Sequence, residues 1–189
     1  VQVEQSALYH NEVLRVMLEV IVFARRLNLK LPEGFSTQVH KLAQASRYLA
    51  KPDGTQLLYG DSDVQHLNTP WQLAALVFAD GSFKQTQAEP LTYENAWLFT
   101  AHDAAVLQGL QKRDPERMSV ALEASAHYAL RPSSQPDANM LHMDCSHIRR
   151  GPCPTDLLPL ASNLGAHDVP LAPPRSHSSA TAAPSPFHT

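Results

Sequence analysis

One segment constrains the fold more than any other. Residues 6–28 read as a single long helix that is apolar around most of its circumference, with Leu8, Val13, Leu14, Val16, Leu18, Val20, Ile21 and Phe23 all falling within it. Glu12, Arg15, Glu19 and Arg26 recur at steps of three, four and seven, which places them on one narrow stripe. A helix with so little polar surface needs cover on several sides, so it must pack among other helices. It is nevertheless no membrane span, because its greasiest part, residues 13–24, contains Arg15 and Glu19.

The helices that could cover it follow in the chain. Leu31-Pro32-Glu33-Gly34 interrupts the first, and a second is expected from Ser36 to Leu49, with Val39, Leu42, Ser46 and Leu49 on one face. Lys51-Pro52-Asp53-Gly54 is a turn with a mechanism: proline fixes φ, aspartate bonds its own backbone, and glycine accepts positive φ. A third helix is expected over residues 71–78, with Thr69 as N-cap and Pro70 at its first position. One or two further helical pieces fit between Glu94 and Gln111. Near residue 118 the pattern changes to short alternating runs, residues 120–130 and 140–148, which read as antiparallel strands.

Composition follows the same divide. Ten of the 15 prolines lie from Pro132 onward, and Ser176 to Thr189 is a low-complexity stretch of Ser, Ala and Pro with no expected packed structure. Helices first and strands second make an α+β chain. The expected boundaries are residues 1–114 for the helical part, 115–172 for the strands and 173–189 for a disordered tail. At 43% hydrophobic residues a core can form, and a formal net charge of −3 creates no field for nucleic-acid backbones. Two cysteines make no disulfide framework. Val1-Gln2-Val3 lacks an initiator Met and a signal sequence, so the chain is expected to begin inside a larger protein, whose compartment stays open.

Three groups of residues can carry chemistry. Tyr9 and His10 pair a phenol with an imidazole, which together span acid and base roles near neutral pH; the alternative is an ordinary helix entry with Ser6 as N-cap and His10 solvated. Tyr59-Gly60-Asp61-Ser62-Asp63 sets two carboxylates in a loop, but lacks the later ligands of a calcium loop and reads better as an Asx-turn. His142, Cys145, His147 and Cys153 are the residues with metal-ligand chemistry, although their spacing matches no common zinc pattern. Buried thiols and ordinary polar histidines are the alternative there. Trp71, with Tyr9 and His10, supplies aromatic and polar surface suited to sugars.

The residues in order resemble the heparinase II/III-like polysaccharide lyases. The resemblance is strongest over residues 4–63: Glu4-Gln5-Ser6, Tyr9-His10, the long helix, Pro52-Asp53-Gly54 and Gly60-Asp61-Ser62-Asp63. Weaker continuations are Ala74-Ala75-Leu76, Glu94 to Leu98, His127-Tyr128 to Arg131 and Leu141 to Cys145. It implies the end of an α/α toroid followed by the start of an antiparallel β-sandwich. It implies an acidic polysaccharide as substrate, cleaved by β-elimination at a uronate. Tyr9 matches the family's proton-transferring tyrosine, and His10 would orient it or contact substrate.

The resemblance also has gaps. The family's Asn/His that neutralises the uronate sits on helices ahead of residue 1. Where the family has Gly followed by His-Ala-His-Ala-Asp, this chain has Gly151-Pro152-Cys153-Pro154-Thr155-Asp156, and a later family aspartate falls on Ala172. Neither proline nor alanine ligates zinc. The inherited metal site is therefore expected to be lost, leaving no cofactor, and the chain alone is expected to be inactive and prone to association. Its oligomeric state stays open.

Overall fold

The computed structural model describes residues 6–58 and 62–145, and strand backbone at 160–164 and 167–170. Five α-helices come first: α1 (Ala7–Arg26), α2 (Phe35–Leu49), α3 (Asn68–Phe78), α4 (Tyr93–Leu98) and α5 (Ala101–Gly109). Then come β1 (Val120–Leu122), β2 (His127–Leu130), β3 (Met140–Asp144), β4 (Leu160–Leu164) and β5 (His167–Pro170), a sheet in sequential order with every neighbouring pair antiparallel. This is the expected α+β order. The strands β4 and β5 were not anticipated, and the tail 173–189 lies outside the described residues.

α1 buries Leu14, Leu18 and Ile21 against α2 and α3, where Val39, Ala43, Leu73, Ala74 and Val77 complete the main core. Its first turn is not capped as expected. Ser6 makes no side-chain cap bond; instead Ser62, from far along the chain, accepts the Leu8 N–H at 3.2 Å and lies 3.0 Å from the Ser6 hydroxyl. The 51–54 turn forms as expected, with Thr55 N–H donating to Asp53 Oδ1 at 2.9 Å and Gly54 at φ +86°. α3 starts at Asn68, earlier than expected, so Pro70 sits inside its first turn and Thr69 donates to Thr92 and Glu94 rather than capping. Among the described residues, no helix is long and apolar enough to cross a membrane.

A second, smaller cluster joins helices to sheet: Leu49 and Leu57 pack on Ala129 and Met140. Arg131, at the end of β2, closes this junction by donating from Nη2 to the carbonyls of Arg47 (3.1 Å) and Tyr48 (2.6 Å) in the last turn of α2. Those carbonyls have no partner within their own helix, so a buried guanidinium both satisfies them and complements the helix dipole. Arg131→Leu is expected to cost about 2 kcal/mol. Hydrogen exchange should show β2 amides opening faster while α1 and α3 keep their protection; unchanged exchange in β2 would mean the junction holds without this residue.

Candidate active site

The alternation of β2 and β3 turns five side chains toward the helices: His127 and Ala129 from one, Met140, His142 and Asp144 from the other. The register sets His127 opposite Asp144 and Ala129 opposite His142. The apolar half of this face meets Leu49 and Leu57. Its polar half is a compact group. His127 Nδ1 lies 3.2 Å from His142 Nε2 and 3.9 Å from Asp144 Oδ1, and the two rings stack at 5.3 Å with planes 19° apart. All three residues are buried.

His10 approaches the same region from α1. Its Nε2 is 3.0 Å from the Leu42 carbonyl, and since a carbonyl only accepts, Nε2 carries the hydrogen and Nδ1 the basic lone pair. Burial holds the His10 pKa below the usual imidazole range, the Leu42 carbonyl pulls it back upward, and the field of His127 lowers it further. Burial likewise lowers His127 against the opposing pull of Asp144, and pushes His142 down to about 4. The three imidazoles are therefore neutral at pH 7. His10 is not the solvated helix-entry residue of the bland expectation.

Tyr9 stands on the other side of the helix. Adjacent helical residues are separated by about 100°, so Tyr9 faces outward, 36% exposed, while His10 turns inward. The ring is accessible, but it lines neither the cleft beside Arg47 nor the packing void beside His10. That void, about 10 Å³ between Ala7, His10, Asn11 and Gln56, has no room for a ligand. A cleft of about 400 Å³ opens elsewhere and mixes Arg47 and Arg113 with Asp80, Asp114 and Glu116. Arg113 is already paired with Asp80 at 2.7 Å.

Trp71 does not belong to a sugar-contacting surface. It is fully buried in α3, its indole N–H donates to Ser46 Oγ at 3.0 Å, and Arg47 covers its ring at 4.3 Å. Ser46 in turn donates to Asn11 Oδ1 at 2.6 Å, and Asn11 donates to Gln56 Oε1 at 3.2 Å. Trp71 thus anchors a buried polar chain that fixes α1, α2 and α3 together, and a substrate ring has no path to it. Packing explains the correction: α3 buries every residue from Pro70 to Ala75, so the tryptophan faces core whichever way it turns.

Of the candidate metal ligands, His147 and Cys153 lie outside the described residues, as do Tyr59, Gly60 and Asp61 of the acidic loop and positions 152, 154 and 172. Cys145, half-exposed and one residue past β3, follows Asp144 in the alternation, so it sits opposite His142 rather than beside it. His142 meets His127 and Asp144 instead. Among the described residues, no group of three or more could hold a metal ion. The roles of His127 and Asp144 were missed, although the two-residue spacings 127/129 and 142/144 carry the signal that they share a face with their neighbours.

No protein-family model matches the sequence, and no curated protein matches it. Solved structures do. Heparan sulfate lyase HepC from Pedobacter heparinus superposes with a TM-score of 0.64 at 20% identity, over 89% of this chain and 24% of the enzyme. A mutant of the same enzyme gives the same values. A heparinase III solved with methylated lysines superposes with a TM-score of 0.65 at 14% identity, over 88% of this chain and 24% of that one. The chain spans about a quarter of the length of these enzymes. Over that stretch it has the fold of the heparan sulfate lyases.

Proposed function

We propose that the chain forms the proton-transfer side of a lyase that cleaves uronate-bearing polysaccharides by β-elimination, built where the end of a helical toroid meets the first strands of a β-sandwich. Such a reaction removes the weakly acidic C5 proton, neutralises the adjacent carboxylate and protonates the leaving O4. Tyr9 is the proton-transfer group and His10 the neighbouring hydrogen-bonding group. One observation carries the reading: Tyr9 is 36% exposed on the outer face of the first turn of α1, where a polymer can reach it, while the next residue, His10, is kept neutral by burial with its tautomer set by the Leu42 carbonyl. The heparan sulfate lyases of the same fold support an acidic polysaccharide as the ligand class. With a formal charge of −3 the chain exerts no long-range pull on such a polymer, so recognition is short-range and only weakly sensitive to salt. No metal is assigned a role.

The carboxylate-neutralising group is not assigned to any of the 189 residues. The chain alone is therefore expected to bind acidic oligosaccharide without turnover. Incubation with heparan, alginate and ulvan-type polymers should give no rise in the ultraviolet absorbance of the unsaturated uronate. Titration with a heparan oligosaccharide should move the NMR signals of Tyr9 and His10 and leave in place those of His102, on α5 near the opposite end of α1. Turnover abolished by Tyr9→Phe would keep the tyrosine and overturn the inactivity. Shifts confined to residues away from α1 would overturn the site.

A further inference from the structure

Arg47 is a buried cation with donors left unused. It sits in the last turn of α2 and is only 9% exposed. Its guanidinium lies over the Trp71 ring at 4.3 Å, and Nε donates to the Ser82 carbonyl at 3.2 Å. Among the described residues, neither Nη has a hydrogen-bond partner and no carboxylate stands within ion-pair distance. Burial pushes its pKa down to about 10, the positive charge of Arg131 adds to that, and Glu89 and Asp114 pull the other way. The group is therefore charged at pH 7. A buried charge is normally both paired and hydrogen-bonded, and this one is neither.

The unused donors border open space. Arg47 lines the cleft of about 400 Å³, together with Tyr48, Phe83, Asp114 and Glu116. Asp80 and Arg113, also in its wall, answer each other at 2.7 Å. Asp114 and Glu116 are both exposed; among the described residues Asp114 accepts only from the Ser134 hydroxyl, at 2.7 Å, and Glu116 has no partner. One inner cation and two outer carboxylates are left over.

We propose that this cleft binds a small zwitterion of the amino-acid class, its carboxylate received by the Arg47 guanidinium and its ammonium by Asp114 and Glu116. The planar fork of an arginine matches a carboxylate, and the charge-assisted pair is stronger than the hydrogen bonds water would make to the same N–H groups. Trp71 behind the fork and Ser82 at its edge hold it in place before any ligand arrives, so little side-chain entropy is lost on binding. The acids decide between ligands. Three carboxylates against two guanidiniums repel a sulfate, a phosphate or a sulfated polymer, whereas an ammonium group satisfies the surplus. The volume suits a small molecule, lying near the lower end of ligand pockets at roughly 300–1,000 Å³. Tyr9 does not line this cleft, so the site is independent of the lyase reading.

Calorimetric and NMR titrations of the full chain with glycine, β-alanine and γ-aminobutyrate test the proposal, against acetate, methylammonium and inorganic sulfate. At least one amino acid should bind tenfold or more tightly than either acetate or methylammonium, and sulfate no better than acetate. The Arg47 Nε–H and Trp71 indole N–H signals should move. Arg47→Lys keeps the charge, loses the fork and is expected to weaken binding at least tenfold. Glu116→Gln alters an exposed side chain, so it tests the site even if replacing Arg47 disturbs the fold. It should weaken the amino acid several-fold and leave acetate unchanged. Failure of all three amino acids to bind overturns the proposal. So does acetate or sulfate binding as tightly as they do, or a set of shifts that bypasses Arg47.

Discussion

Lys84→Met is expected to lower stability by about 4 kcal/mol, one of the two largest effects the structure supports. Lys84 is fully buried, yet among the described residues no carboxylate lies at bonding distance; its ammonium donates instead to three carbonyls, Gln87 at 2.7 Å, Leu107 at 2.6 Å and Leu110 at 2.8 Å. Leu107 and Leu110 belong to the last turn of α5 and its C-cap, where carbonyls have no helical partner. One side chain thus closes α5, the 84–89 turn and the 3₁₀ segment Gly81–Phe83 around a single point. Methionine fills the volume but donates nothing, so the Gln87 and Leu107 carbonyls lose this donor and Leu110 keeps only its bond from Gln87 Nε2 at 3.2 Å. Removing the charge recovers part of the ammonium's own desolvation cost, which keeps the estimate near the middle of the range for broken buried polar contacts. Urea denaturation should show the midpoint moving well down with the slope unchanged. A shift equivalent to less than about 1 kcal/mol would mean water replaces the ammonium without loss.

The second large effect is on pH. His142 falls to about 4 in the folded chain, and His127 and His10 are also lowered by burial, whereas the unfolded chain titrates near the ordinary histidine value. Between those limits the unfolded chain binds more protons than the folded one, so stability rises with pH. The contribution is complete above about pH 6.5 and drains away as pH falls toward 4. For His142 alone the loss between pH 7 and pH 5 is about 2 kcal/mol. Geometry gives the same direction. The 3.2 Å contact between His127 Nδ1 and His142 Nε2 needs one nitrogen to donate and the other to accept, and protonating both rings sets two donors face to face. Asp144 at 3.9 Å from His127 softens the penalty without cancelling it. His142→Gln should flatten the slope of stability against pH over this window, whatever it does to stability at neutral pH. An unaltered slope would place the acid sensitivity elsewhere.

What the sequence made legible was local. α1, α2 and the 51–54 turn announce themselves because their signals repeat within a few residues: the three-and-four spacing of apolar positions, and the Pro-Asp-Gly run. β4 and β5 carried no such signal. They are five and four residues long, with a proline ending one of them, and are held in place by pairing, β4 with β3 and β5 with β4, rather than by their own pattern. The cap of α1 was misjudged for a similar reason, since Ser6 has the right chemistry and position but the hydroxyl that does the capping comes from Ser62. Trp71 shows the limit for sites. A tryptophan is equally at home on a sugar and in a core, and only the packing of α1 and α2 around α3 decides between them. The histidine pair depends on a register across the loop between β2 and β3, which single positions do not reveal.

The bond from Leu8 to Ser62 has a consequence for Tyr9. The phenol rides on the first helical turn, and that turn is pinned by a hydroxyl 54 residues away, so the placement of the ring is a long-range property of the chain. A peptide copied from α1 would fray at its front and let the ring wander. Any tug on the loop carrying Ser62, whether by a bound polymer or by an adjoining stretch of protein, would reach the phenol within one helical turn.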